Sequence, residues 1–317
     1  MQTAKLKPAW AGGEFLSRFV NLLIHTGPTY ALLKRQARKV LIKTAEKNGI
    51  AWRQRYRELE MSGIQQTLDQ NINPAVVYPD YYKKPFHAYA EGNLCWQAAF
   101  EAEPATYAMA LRIWPGEKLT WQDAHDRLRT TFHTALAEQG VTEVHDILDI
   151  GCSVGISTLS LHRYFQGLVE YPVSTIGLDL SPYMLAVARA YDARHEIAAW
   201  LHAAGEASGL MGSSFDLVSL QLVAHELPRD ASRKVLQEAS RLLKPGGWIA
   251  LLDSDPGSPV LQKLPPFLFT LMKSTEPWSD DYYTFDLQAA LETAGFEKVV
   301  SVASDPRHRT IIARKPV

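Results

Sequence analysis

From residue 144 onward the sequence alternates short apolar runs with helical patterns, and that alternation admits few folds. "VHDILDI", "STIGLDL", "AAWLHAAG", "FDLVSLQLV" and "WIALLD" are short, mostly apolar and bounded by turn-forming residues, the texture of buried strands. Between them, "SPYMLAVARAYDARH" and "ASRKVLQEASRLLK" repeat apolar residues at helical spacing, the second stopped by "PGG". An irregular Pro-rich insert over 256–284 precedes a helix near 286–294 and the strand pair "FEKVVSV" and "RTIIARK". Five strand–helix units and a terminal strand pair predict an α/β fold with a doubly wound sheet.

The preceding half has another texture. Residues 14–25 place Phe15, Phe19 and Leu22/Leu23 on one helical face, and "TGP" at 26–28 breaks it. A second helix is predicted from Thr29 to Lys47, ahead of Asn48-Gly49. It sets Arg35, Lys39, Lys43 and Lys47 in one basic ridge, with Leu33, Ala37, Val40 and Leu41 as the packing face. Residues 71–100 are dense in Pro, Tyr, His and Trp without a period, which predicts an ordered loop region. Helical patterns resume over 95–112 and 120–139. The chain is therefore read as an N-terminal helical and aromatic lid region, 1–141, ahead of a ligand-binding domain, 142–317.

At 317 residues and 46% apolar content the chain can bury a substantial core. A net charge of −1 supplies no global field for nucleic acid, and no nucleic-acid partner is expected. Two cysteines, Cys95 and Cys152, make no disulfide framework and point to a reducing cytoplasm. No apolar run approaches the ~20 residues of a membrane span. The run "FVNLLI" is shorter than a signal-peptide core and no A-x-A-like site follows it, so no cleaved address is expected. Charge is uneven, however: residues 1–60 hold twelve Lys/Arg against four Glu, a net of +8 that leaves −9 for the remainder.

The first strand runs into "DIGCSVGIST", residues 149–158. In doubly wound sheets the ligand lies beyond the carboxyl ends of the strands, and this bend is at that place. Gly151 and Gly155 remove side chains where the backbone turns and a ligand approaches, and the helix after Gly155 offers free N–H groups. A dinucleotide fingerprint would need G-x-G-x-x-G, but the pattern here is D-x-G-x-S-x-G. Asp149 would repel a pyrophosphate and suits a ligand carrying an ammonium. The absence of G-K-[ST] rules out a Walker loop. Asp179 ends the second strand, where a carboxylate can accept both hydroxyls of a ribose. An ammonium near Asp149 and a ribose near Asp179, with no phosphate between, describe S-adenosylmethionine (SAM).

At this point residues 144–317 resemble the class I SAM-dependent methyltransferases, and the catalytic half is similar to their quinone-biosynthesis and small-molecule group. The resemblance rests on "ILDIGCSVGIST", "GLDLSPYML", "SFDLVSLQLVAHEL" and "RLLKPGGWIALLD", in the family's order. It implies a Rossmann-like seven-stranded sheet whose last strand runs antiparallel, with SAM as cofactor. It places Asp149, Gly151, Ser153 and Gly155 around the methionine part and Asp179 on the ribose. Leu180 would cover the adenine, Gly205 and Glu206 would reach the adenine amino group, and Gln221 would face the methionine or the substrate. Two departures stand out: Ala204 occupies a usual Asp position, and Ser153 replaces a glycine.

His225, just past strand four, is the candidate base, since a phenol, enol or carbon acceptor must lose a proton. Tyr82, His87, Tyr89 and Trp96 from the aromatic segment are candidate substrate contacts. No metal is expected: Asp253 and Asp255 in "DSDP" lack a third ligand nearby in sequence, and the cysteines show no metal spacing. The favoured function is methyl transfer to O or C of a small hydrophobic or aromatic metabolite. A protein side-chain methyltransferase and a non-catalytic SAM binder stay open. The basic N-terminal segment suits an anionic membrane surface, which would make the protein peripheral, or an acidic protein. Strand four ends in Gln221-Leu222-Val223-Ala224 and not in an N-P-P-Y-type motif, which weighs against DNA, RNA and glutamine acceptors.

Overall fold

The computed structural model describes residues 27–87, 89–265 and 274–317; at 27–34 and 37 only the helical backbone is described. The helix expected over 14–25 lies outside these residues. Among the described residues four longer helices come first: α1 (Gly27–Lys47), α2 (Trp52–Met61), α3 (Trp96–Ala110) and α4 (Trp121–Glu138). Thr120 caps α4, its side chain accepting from the Asp123 N–H. The aromatic segment before α3 has short helical turns at Ile64–Thr67 and Leu68–Asn71 and is otherwise irregular to Cys95.

Strands and helices then alternate: β1 (Asp146–Ile150), α5 (Ile156–Gln166), β2 (Ser174–Asp179), α6 (Pro182–Tyr191), β3 (Ala199–His202), β4 (Phe215–Gln221), α7 (Arg229–Leu242) and β5 (Leu243–Ser254). The chain closes with α8 (Leu287–Thr293), β6 (Glu297–Ala303) and β7 (His308–Arg314). The seven strands lie in the order β3-β2-β1-β4-β5-β7-β6. β7 is antiparallel to both neighbours, and the pairs from β3 to β5 are parallel. Strand order reverses between β1 and β4, so the loop after β1 sits at the switch point where such sheets bind ligands.

The sheet is covered on both faces, and the alternation of side chains along each strand decides what meets what. Ile147, Leu217, Ala250, Leu252 and Ile312 pack against Leu128, Phe132 and Leu136 of α4 and Leu161 and Phe165 of α5. Their neighbours Leu148, Val218, Leu251 and Ile311 pack against Val235, Leu236 and Ala239 of α7 and Leu291 of α8. Thus α4, placed with the lid region on sequence grounds, forms part of the sheet's own cover. Burying each such side chain stabilises the fold by roughly 1.5–3 kcal/mol.

The other N-terminal helices pack near the ligand loop. Leu59 of α2 and Ala98, Ala99 and Phe100 of α3 meet Val154 of the loop and Met184 and Val187 of α6. On α1 the buried positions are Ile42 and Ala45, with Val40 exposed at 64%. Of the expected packing face, Leu41 packs against this group and Val40 does not, while Arg38 pairs with buried Glu101; the side chains of Leu33 and Ala37 lie outside the described residues. Arg35, Lys39, Lys43 and Lys47 are all exposed, as the ridge required.

Candidate active site

The loop after β1 is a tight cradle. Gly151 and Gly155 have φ of +73° and +79°, in the left-handed region that glycine alone enters without cost. A Cβ on Gly151 would stand 2.6 Å from Val223, and one on Gly155 would stand 2.4 Å from Trp200. Ser153, which replaces a glycine, also has a left-handed φ of 49°. Its main-chain N–H donates to Asp179 Oδ2 at 2.8 Å, and its hydroxyl turns aside to Met184 Sδ at 3.5 Å. Asp179 Oδ1 accepts from the Ser181 N–H at 2.8 Å, so the loop and the β2 tip are tied together. Burial still pushes the Asp179 carboxyl above its usual range.

A cavity of about 790 Å³ opens over this loop, within the range of ordinary ligand sites. Of the residues singled out by sequence, Gly151, Ser153, Asp179, Leu180, Gly205, Glu206, Gln221, His225, Tyr82, His87 and Tyr89 all line it. Two lid tyrosines touch the acids expected to hold a nucleoside: Tyr81 donates to Glu206 at 2.9 Å and Tyr82 to Asp179 at 3.4 Å. Tyr89 donates to Glu101 at 2.7 Å.

Three singled-out residues do not line the cavity. Trp96 packs edge-on against Tyr183 and beside Phe100, joining α3 to α6. Gly155 starts α5 against Trp200. Asp149 lies under the loop, 1% exposed, with Oδ2 accepting from the Thr158 hydroxyl at 2.6 Å. Its Oδ1 has no hydrogen-bond partner among the described residues, and burial pushes its carboxyl up to about 6.

One residue escaped the sequence reading. Arg129 of α4 is 4% exposed, lines the cavity and donates to Gln221 Oε1 at 3.0 Å. Its charge is opposed by that of Asp149, although burial lowers it to about 10. The available signal was an arginine within the apolar stripe of Leu128, Phe132 and Leu136.

His225 stands in a short turn, Ala224–Glu226, at the tip of β4. Its ring Nδ1 lies 2.8 Å from Asp253 Oδ1 at the end of β5, next to β4 in the sheet. Burial opposes the imidazolium, but Asp253 outweighs it and raises His225 to about 10. An imidazole that already holds a proton at neutral pH is poised first as a cation and hydrogen-bond donor. Glu226, which receives the Asn93 amide at 3.4 Å, is raised by burial to about 8. His87, from the lid, is crowded enough for burial to lower it to about 3, while its ring keeps access to the cavity. The Asp255 side chain receives the Gly257 N–H in a turn.

The chain matches the methyltransferase domain family model over residues 148–251. It is 28% identical to the demethylmenaquinone methyltransferase of Tropheryma whipplei over 210 residues, 60% of this chain and 82% of that protein. It is 35% identical to the demethylmenaquinone methyltransferase of Shouchella clausii over 125 residues, 38% of this chain and 51% of that one. Phosphoethanolamine N-methyltransferase 2 of Haemonchus contortus, solved with SAM, shares the fold with a TM-score of 0.50 at 14% identity, covering 78% of this chain and 62% of that one. Residues 148–251 form the methyltransferase domain of a class I SAM-dependent enzyme.

In this methyltransferase the cavity residues suit SAM. The loop backbone is bare where a Cβ would collide, Asp179 stands at the β2 tip, and beneath the cavity a buried carboxylate oxygen on Asp149 lacks a donor among the described residues. No helix among the described residues is long and apolar enough to cross a membrane.

Proposed function

We propose that this methyltransferase acts on a small, mainly apolar acceptor with one polar group, seated across the cavity from the ligand loop. The observation that carries this reading is that one cavity is lined both by the loop of Gly151 and Ser153 and by the polar group of His87, His225 and Glu226. Its wall on the α1–α3 side is Leu41, Trp52, Ala98, Ala102, Ala105 and Met109, suited to an apolar body. A quinone-like ring with an apolar substituent, as the names of the matched bacterial enzymes suggest, has this character.

In this reading Asp179 takes the ribose hydroxyls, Leu180 covers the adenine, and Gly205 and Glu206 border it. Tyr82 and Tyr81 then give way to, or share, the hydroxyls and amino group they now stand in for. Arg129 answers the methionine carboxylate and Asp149, through its charge beneath the loop, the ammonium: a buried pair of opposite sign for a zwitterion. When bound, SAM supplies a methyl group already activated by the sulfonium charge. The chain's own work is to position the acceptor in line, exclude water beneath the lid and hold the acceptor's polar atom at His225.

The test is incubation of the protein with methyl-labelled SAM and a native extract, separated into lipid, small-molecule and protein fractions. Label in the lipid or small-molecule fraction is expected. Label confined to protein would replace this reading with side-chain methylation, and no label anywhere would leave a SAM-binding protein without transfer.

A further inference from the structure

The polar end of the cavity contains more than a hydrogen-bonding group. Among the described residues, His87, His225 and Glu226 each bring one ligand atom to within 4.8 Å of the others. Two imidazoles and one carboxylate form the donor set that proteins use for divalent first-row transition ions, zinc and iron among them. We propose that this cluster binds one such ion, which in turn holds an oxygen of the methyl acceptor. The proposal rests on the reading of this cavity as the acceptor's site and narrows that acceptor to one with a coordinating oxygen.

Three features support the site. First, Asp253 accepts from Nδ1 of His225, so an ion that displaces the proton on Nε2 would find that nitrogen as its ligand, the carboxylate–histidine arrangement that orients imidazoles on metals. Second, the donors are held by separate elements. The main-chain N–H of His87 donates to the Thr275 carbonyl at 2.9 Å, and the His225 N–H donates to Asp253 Oδ2 at 3.1 Å. Third, all three donor residues line the one cavity, so an ion held by them would face its interior. With three protein ligands, a tetrahedral ion keeps one position open toward the cavity.

Sequence reading expected no metal because it looked for ligands near one another along the chain. His87 belongs to the lid and His225-Glu226 to the β4 tip, so only the fold brings them together. Such a site would also couple the lid to the sheet, since the ion would need His87 in place.

The test is metal analysis of the full-length protein after dialysis against chelator and titration with Zn2+, then with Co2+ as a spectroscopic probe. One equivalent per chain is expected, with the intense visible bands of a low-symmetry Co2+ site. His87→Ala and Glu226→Gln should each weaken Zn2+ binding more than tenfold. Asp253→Asn should weaken it about 10- to 100-fold without changing the stoichiometry. SAM binding by calorimetry is measured on every variant and shows that the fold and donor site persist. A protein that binds SAM but takes up no stoichiometric metal overturns this inference alone, as does Zn2+ binding unchanged in both ligand variants. Loss of SAM binding by the unmodified chain would instead overturn the functional reading.

Discussion

The carboxylate of Asp253 accepts two hydrogen bonds from one residue, from the ring of His225 at 2.8 Å and from its main-chain N–H at 3.1 Å. The tip of β5 thereby fixes both the backbone and the ring of the residue at the tip of β4. Asp253→Asn keeps the shape and removes the charge. It should lower turnover about 10²-fold while SAM affinity changes less than about threefold if, as proposed, the pair serves the acceptor. Steady-state kinetics beside calorimetry check this, and equal losses in both would assign the pair to the donor site.

Asp149 gives a pH dependence with a definite sign. Its folded pKa is raised to about 6 by burial, and only the ionised form attracts an ammonium. SAM affinity should be constant above that pH and fall about tenfold per unit below it. Asp149→Asn should bind weakly and flatten the profile between pH 7 and 5. A wild-type profile flat over that interval would remove Asp149 from cofactor recognition.

Two substitutions in the loop should move stability in opposite directions. Ser153 occupies a left-handed φ, which costs a residue with a Cβ roughly 1–2 kcal/mol. Ser153→Gly relieves that strain against the entropy of a more flexible unfolded chain, leaving about 0.5–1 kcal/mol of stabilisation. Gly155→Ala adds the same strain and drives a methyl into Trp200, so a loss of several kcal/mol is expected. Thermal melts of both variants decide the matter; equal melting temperatures would contradict the loop geometry.

The basic ridge on α1 exposes Arg35, Lys39, Lys43 and Lys47 beside an exposed Val40. If it docks on an anionic bilayer, each cation contributes about 1 kcal/mol and salt weakens the contact. Vesicles containing phosphatidylserine should retain the wild-type protein in sedimentation and release the Lys39→Glu/Lys43→Glu/Lys47→Glu variant. Failure of the wild type to sediment with them would leave the ridge as a solvated face.

The catalytic fold was legible because period and order are local. Each β-strand of the sheet covers a run read as a strand from sequence, but β5 begins early, at Leu243, so the helix before it ends at Leu242 and not at the expected Lys244. The loop residues were legible for the same reason: Gly151, Ser153 and Asp179 belong to short segments whose chemistry is fixed by position relative to a strand tip. What stayed hidden depended on side chains meeting across the fold. Nothing near Arg129 in sequence announces Gln221, and nothing near Asp253 announces His225. The reading of α1 failed at Val40, which is exposed, whereas Ile42 and Ala45 are buried and Arg38 pairs with Glu101. Trp96 shows the converse: aromatic character suited a substrate contact, but its neighbours Phe100 and Tyr183 claimed it for packing.

The most direct measurement is calorimetric titration of the full-length protein with SAM and, separately, with NAD. A single SAM per chain, no heat from NAD and at least tenfold weaker SAM binding by Asp179→Ala are expected. Equal binding of both nucleotides, or an Asp179→Ala variant that binds SAM as tightly as wild type, would contradict the assignment of this cavity.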